Sequence, residues 1–215
     1  MKKTLKINEK IKALKGEKNI VEIISQRMRE FNNIHEKDNV CWFRELCFCL
    51  LTANFTAQGA INICQKESET CAFTEYSAED LSGFLKEQKH RFPNARAGYI
   101  YEARKYSTKI KEIITGFVDE KQSRQWLVKN IKGLGYKEAS HFLRNVGYKN
   151  VAIIDRHILK VLYENKIISE IPTALSMKKY IEIEKTLEKI ADDEDMNLAE
   201  LDFYLWYMKT GKVLK

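Results

Sequence analysis

The stretch KNIKGLGYKEASHFLRNVGYKNVAIIDRH, Lys129 to His157, decides how this chain is read. Gly133 and Gly135 flank Leu134, and glycine tolerates positive φ and lets another molecule approach the backbone closely, so a tight turn is expected there. Ala139, Phe142, Leu143 and Val146 follow at i, i+3, i+4 and i+7, one apolar helical face that stops at Gly147, a residue suited to a left-handed helix end. A glycine turn opening into a helix presents unpaired N–H groups and the positive end of a dipole, which suits a phosphate. The same glycines also fit an ordinary connection between two packed helices.

Outward from this stretch, helical spacing continues. Residues 20 to 31 place Ile20, Ile23, Ile24, Arg27 or Met28, and Phe31 on one face. Asp38 or Asn39 caps a second helix, whose run Val40 to Thr52 is apolar nearly all round and therefore reads as the buried core helix. A third pattern (Ala60, Ile61, Ile63, Cys64) follows LTANFTAQ, and a fourth spans Ala78 to Gln88 with Ser77 as its cap. Pro93 and Asn94 mark a break. Beyond it, Arg96 to Ile114 reads as one long basic helix and Asp119 to Asn130 as a short amphipathic one carrying Trp126 and Leu127. The run Asp192 to Asp195 reads as a solvated connection, and Leu198 to Met208 as a final aromatic helix. With two prolines and nine glycines in 215 residues, the expected class is all-α. A hydrophobic content of 44% suffices for one core or two small lobes, so residues 1–215 are expected to form a single unit of two helical subdomains. The hairpin motif occupies about residues 123–147. No internal repeat or low-complexity tract is present.

The net charge of +7 is unevenly spread. Met1 to Lys18 holds seven lysines and two glutamates, which leaves only +2 for the rest of the chain. Bulk charge is therefore weak support for an anionic partner; the basic arm reads either as a phosphate contact or as a solvated helix or frayed tail. Five cysteines (Cys41, Cys47, Cys49, Cys64, Cys71), odd in number and mostly within apolar helical pattern, read as buried thiols in a reducing compartment. No apolar run reaches the roughly 18 residues needed to span a bilayer, and no export signal is seen. The expected location is cytoplasmic, with no membrane partner.

Taken alone, Lys137 is a helix-start lysine, usually a solvated charge. Asp155, ahead of Arg-His-Ile-Leu-Lys, reads as an N-cap for a helix burying Ile158, Leu159 and Leu162. Taken together, Ile131-Lys132-Gly133-Leu134-Gly135-Tyr136-Lys137 followed eighteen residues on by Asp155 resembles the helix-hairpin-helix DNA glycosylase superfamily. Its hairpin reads Leu-x-Gly-x-Gly-x-Lys; Ile131 stands here in place of the leucine. The resemblance implies two helical lobes around a DNA-binding cleft, with Lys137 as the nucleophile of a bifunctional member and Asp155 assisting. The chemistry requires such a pair. Attack on the sugar C1′ needs an uncharged amine, because ammonium has no lone pair, so partial burial or a neighbouring positive charge is expected around Lys137. A carboxylate at Asp155 stabilises the developing oxocarbenium charge and moves protons. The Schiff base then acidifies the neighbouring sugar hydrogen, and β-elimination cuts the strand 3′ to the lesion. Capping and catalysis can coexist at Asp155.

Three further segments resemble one branch of the superfamily, the small archaeal-type 8-oxoguanine DNA glycosylase/AP lyases. The first is Glu45 to Asn54, where the branch places an amide residue that enters the space vacated by the flipped base; Asn54 also fits a plain helix terminator. The second is Arg91 to Ala97, in which Phe92 is either a stacking partner of the extruded base or a core aromatic. The third is the ending Leu201 to Lys215, where the branch sets a tryptophan against the damaged base (Trp206) and uses the terminal lysine (Lys215) in recognition. The implied DNA contacts are Asn54, Gly133, Gly135 and His157. Base flipping is demanded by the physics, since C1′ is inaccessible to a lysine in an intact duplex.

The implied partner is double-stranded DNA containing an oxidised guanine, met by a monomer. No cofactor is required. Related pyrimidine-specific members hold an iron-sulfur cluster on four cysteines near the C-terminus; this chain has no cysteine after Cys71, which excludes it. No metal is assigned to side chains, although hairpins of this type bind a monovalent cation through backbone carbonyls, here those of Lys129, Ile131 and Leu134. Two other readings are kept: a cluster-free glycosylase for a different lesion, and a non-catalytic helix-hairpin-helix protein in which Lys137 merely touches phosphate.

Overall fold

A computed structural model describes residues 2–214, with side chains from residue 6 onward. Among the described residues there is no strand, and the all-α expectation holds. The helices are α1 (Lys2–Lys15), α2 (Lys18–His35), α3 (Asn39–Thr52), α4 (Ala57–Thr70), α5 (Ala72–Glu75), α6 (Ala78–Glu87) and α7 (Pro93–Ala103). They continue with α8 (Ile110–Thr115), α9 (Glu120–Asn130), α10 (Tyr136–Asn145), α11 (Arg156–Glu164), α12 (Met177–Asp193) and α13 (Leu198–Thr210). The chain divides into two compact units, one of residues 33–146 and one of residues 1–32 with 147–215.

The unit of residues 33–146 is built on α3. Asp38, of the two cap candidates, accepts from the Cys41 N–H, and from Trp42 to Thr52 only Arg44 is not buried. Helices α4, α7, α8 and α10 pack against α3. The face of α10 foreseen from its spacing is buried: Ala139, Phe142, Leu143 and Val146 have no exposed surface, and removing a Phe or Leu side chain from water contributes about 1.5–3 kcal/mol each. The expected long helix from Arg96 to Ile114 is instead two helices joined by a 3-10 turn, Arg104–Tyr106. The cause is tertiary. Arg104 donates to the carbonyls of Phe73 and Ala72, and the Asn39 side chain accepts from the Lys111 N–H at 2.8 Å, giving α8 a remote cap that starts a new helix.

In the second unit, α2 buries Ile20, Ile24, Met28 and Phe31 against Ala199, Phe203 and Tyr204 of α13. Ile23, expected on that face, is 44% exposed; with 3.6 residues per turn Ile20, Ile24 and Phe31 define a stripe that it flanks. The basic arm is a packed helix over its described side chains. Ile7 and Ile11 are fully buried, and Lys15 donates to the Glu194 carbonyl. The acidic run is solvated at Asp192, Asp193 and Asp195, but Asp192 and Asp193 close α12 rather than connect it, and Glu194 is buried, with Lys12 at 3.9 Å. Helix α13 starts on a capping box made by Asn197 and Glu200.

Helix α12 holds the buried segment Val151–Ile154 in place. The Glu184 carboxylate accepts from the Ala152 N–H at 2.8 Å, while the Tyr180 hydroxyl donates to the Ala152 carbonyl at 2.7 Å and accepts from the Ile154 N–H at 3.2 Å. Both side chains are buried, so removing the hydroxyl leaves a backbone pair unsatisfied in the core. Tyr180→Phe is expected to lower the unfolding free energy by about 1–3 kcal/mol in urea denaturation; an unchanged midpoint contradicts this strap.

Candidate active site

The hairpin leaves α9 at Ile131, whose carbonyl accepts from the Leu134 N–H at 3.2 Å. Gly133 has φ +91, and a Cβ there would lie 2.3 Å from Cδ2 of Tyr99. Both the backbone sign and the aromatic ring on α7 therefore demand glycine. Lys132 is tied to the same helix through Glu102 at 2.8 Å. Gly135 differs: its φ is −92 and its ψ −176, extended backbone open to any residue. Its role lies in what it omits. As N-cap of α10 it brings no capping side chain, so the first-turn N–H groups keep their outward potential for an anion.

Lys137 sits in that first turn. Its side chain is 26% exposed, and the Glu138 carboxylate lies 3.9 Å from its amine. Behind it, Arg124 lies under the Tyr136 ring and donates to the Ser140 hydroxyl, which fixes α9 against α10. The same unit holds Asn54 and Phe92. Asn54 is exposed with φ +58, a left-handed position that asparagine tolerates better than most residues. Phe92 is not a core residue: it is 40% exposed, with the Arg91 guanidinium 5.1 Å from its ring centroid.

The other unit gathers Asp155, His157 and Trp206. Asp155 caps α11 by accepting from the N–H groups of His157 and Ile158, both at 2.8 Å through one oxygen. The other carboxylate oxygen is not used by the cap. The exposed His157 ring meets the half-buried Trp206 edge-on, with centroids 5.9 Å apart. Helix α13, which carries Trp206, is fastened to α11 by Lys209 and Glu164. Lys215 lies outside the described residues. Three positions not expected from the sequence matter here: Tyr99 fills the space at Gly133, and Tyr180 and Glu184 hold the approach to Asp155. Their partners lie 26 to 34 residues away, so no local pattern announces them.

A model of the family described as 8-oxoguanine DNA glycosylase matches residues 24–196. The chain belongs to that family. It is 54% identical to the 8-oxoguanine DNA glycosylase/AP lyase of Methanocaldococcus jannaschii, over 96% of this chain and 98% of that protein. To the enzyme of the same description from Korarchaeum cryptofilum it is 52% identical, over 94% of each chain. Among solved structures, the M. jannaschii 8-oxoguanine glycosylase/lyase in complex with a 15mer DNA containing 8-oxoguanine matches with a TM-score of 0.93 at 52% identity, over 97% of this chain and 99% of that one. The Thermotoga maritima 8-oxoguanine DNA glycosylase matches with a TM-score of 0.90 at 38% identity, over 99% of this chain and 100% of that one.

Among the described residues no group of three His, Cys, Asp or Glu side chains is placed to hold a metal ion, and no helix is long and apolar enough to cross a membrane. The hairpin carbonyls of Lys129, Ile131 and Leu134 are neutral hard oxygens, the donor chemistry of an alkali cation. The bond from Leu134 leaves Ile131 O a second lone pair.

The two glycines differ in what they tolerate. Gly133→Ala must strain its φ and displace Tyr99, and is expected to cost more than about 1 kcal/mol. Gly135→Ala meets only the movable Glu138 carboxylate, 3.2 Å from its Cβ, and is expected to stay within about 0.5 kcal/mol of wild type. Thermal melts of both variants check the contrast, and equal destabilisation contradicts it.

Proposed function

We propose that this chain is a bifunctional DNA glycosylase and AP lyase that excises 8-oxoguanine from double-stranded DNA and then cuts the strand. The observation that carries the reading is Lys137: a partly buried amine in the first turn of α10, directly after a glycine hairpin, in a chain 54% identical to a protein named for this activity. The deprotonated amine attacks C1′ of the everted nucleotide as the base departs and takes up a proton; loss of the amine's proton and opening of the C1′–O4′ bond give the Schiff base, whose acidified C2′ hydrogen permits β-elimination of the 3′ phosphate. Asp155 supplies the carboxylate of the same reaction. One oxygen keeps α11 capped while the other is available to the developing positive charge.

Trp206 and Phe92 offer aromatic faces to the damaged base, and Lys215 completes its recognition. Asn54 enters the duplex where the base has left. Gly133, Gly135 and His157 contact the DNA backbone, the hairpin through its N–H groups. An alkali cation on the carbonyls of Lys129, Ile131 and Leu134 would add positive charge beneath a phosphate; no other cofactor is required. The working unit is a cytoplasmic monomer spanning residues 1–215, with two helical subdomains and its hairpin motif at about 123–147.

Duplexes carrying single defined lesions test the substrate. Excision of 8-oxoguanine is expected, and activity confined to oxidised pyrimidines would sink this choice. Lys137→Gln is expected to abolish excision while lesion binding persists. Asp155→Asn keeps an acceptor for the cap, so it is expected to slow excision at least about a hundredfold at near-normal stability. Near-normal excision by either variant removes its assigned role. Deleting Lys215 is expected to impair excision more than cleavage at a preformed abasic site, and equal loss of both contradicts a recognition role.

A further inference from the structure

The proposed chemistry leaves Arg96 unused, yet its placement is unusual for a surface-type residue. It is only 7% exposed. Its Nη2 donates to the Ala53 carbonyl at 2.7 Å, on the residue that ends α3 and immediately precedes Asn54 with its left-handed φ. The guanidinium carbon lies 5.5 Å from the centroid of the Tyr99 ring. That ring occupies the space a side chain at Gly133 would need. One planar cation thus touches the turn carrying Asn54 on one side and the aromatic buttress of the hairpin on the other.

Burial pushes this guanidinium below its ordinary range, opposed by Tyr99 and Glu138. Its Nε is buried without a hydrogen-bond partner. A desolvated charge with an orphaned donor is a poor way to stabilise a core, where an apolar side chain of similar volume often does as well or better. A plain cap for α3 would need one donor to Ala53 O, which lysine also supplies. It would not need a flat face over Tyr99.

We propose that Arg96 is a positioning residue that locks the Asn54 turn to the glycine hairpin, so that the side chain entering the duplex and the backbone receiving the phosphate keep one fixed spacing. The inference rests on the roles given above to Asn54 and the hairpin. It adds a residue that touches neither base nor sugar but sets how efficiently the lesion is everted.

The test uses the full chain carrying Lys137→Gln, so that the duplex stays uncut, and a duplex with 2-aminopurine beside 8-oxoguanine to report eversion by fluorescence. Arg96→Met and Asn54→Ala are each expected to weaken eversion about tenfold, and the double variant no further than Asn54→Ala alone. The melting temperature of Arg96→Met stays within a few degrees of the parent. Effects that multiply to about a hundredfold overturn the proposal. Should Arg96→Met fail to fold, Arg96→Lys decides: tenfold weaker eversion supports the lock, and parental eversion reduces Arg96 to a cap. Amide exchange in the free protein separates this inference from the proposed function. Faster exchange at both Phe55 and Leu134 in the Arg96 variant is expected even if the parent never everts 8-oxoguanine, and a change confined to Phe55 overturns the link.

Discussion

The ring of Tyr99 against the backbone of Gly133 is the constraint on which the hairpin depends. A tight turn between two helices is cheap to form but has many geometries; one held by a positive φ and an aromatic wall has few. That contact fixes where α10 begins. The start of α10 fixes the first-turn N–H groups and the Lys137 side chain together, because both are carried by the same turn of backbone. The proposed nucleophile and the N–H groups proposed to meet a phosphate are thus one local object rather than two features assembled separately.

Asp155 shows the same economy in the other unit. A cap uses one carboxylate oxygen, and the two N–H groups at 2.8 Å that fix it also orient the oxygen left over. The buried segment before it is held by Tyr180 and Glu184 rather than by a strand partner. An irregular segment buried in this way must have its backbone polar groups met by side chains, and α12 supplies them. Stability and positioning of the carboxylate are therefore coupled through Tyr180 and Glu184 on α12.

Much of this was legible in the sequence, where the signal was local. The apolar face of α10, the cap at Asp155 and the all-round burial of α3 follow from periodicity and capping chemistry over a few residues. The break between α7 and α8 was not, because it depends on Asn39 reaching the Lys111 N–H from a different helix. Helix α12 has no counterpart among the expected elements, although Tyr180, Ile183, Glu184 and Leu187 carry the helical period; two of those four positions are polar, which blurs the stripe. Glu194 reads as solvent-facing until the N-terminal helix is seen against it. In the candidate site, Lys137, Asp155 and Asn54 were marked by motif and resemblance, whereas Tyr99 and Arg96 act through contacts that no spacing rule encodes.

The proposed reaction centres on a single amine forming a covalent bond with deoxyribose. The most direct measurement is to incubate the protein with 8-oxoguanine duplex DNA under borohydride, digest the reduced adduct and locate the sugar remnant by mass spectrometry. The remnant is predicted on the peptide containing Lys137. Its attachment to a different lysine, or to the N-terminal amine, would contradict the assignment of the nucleophile.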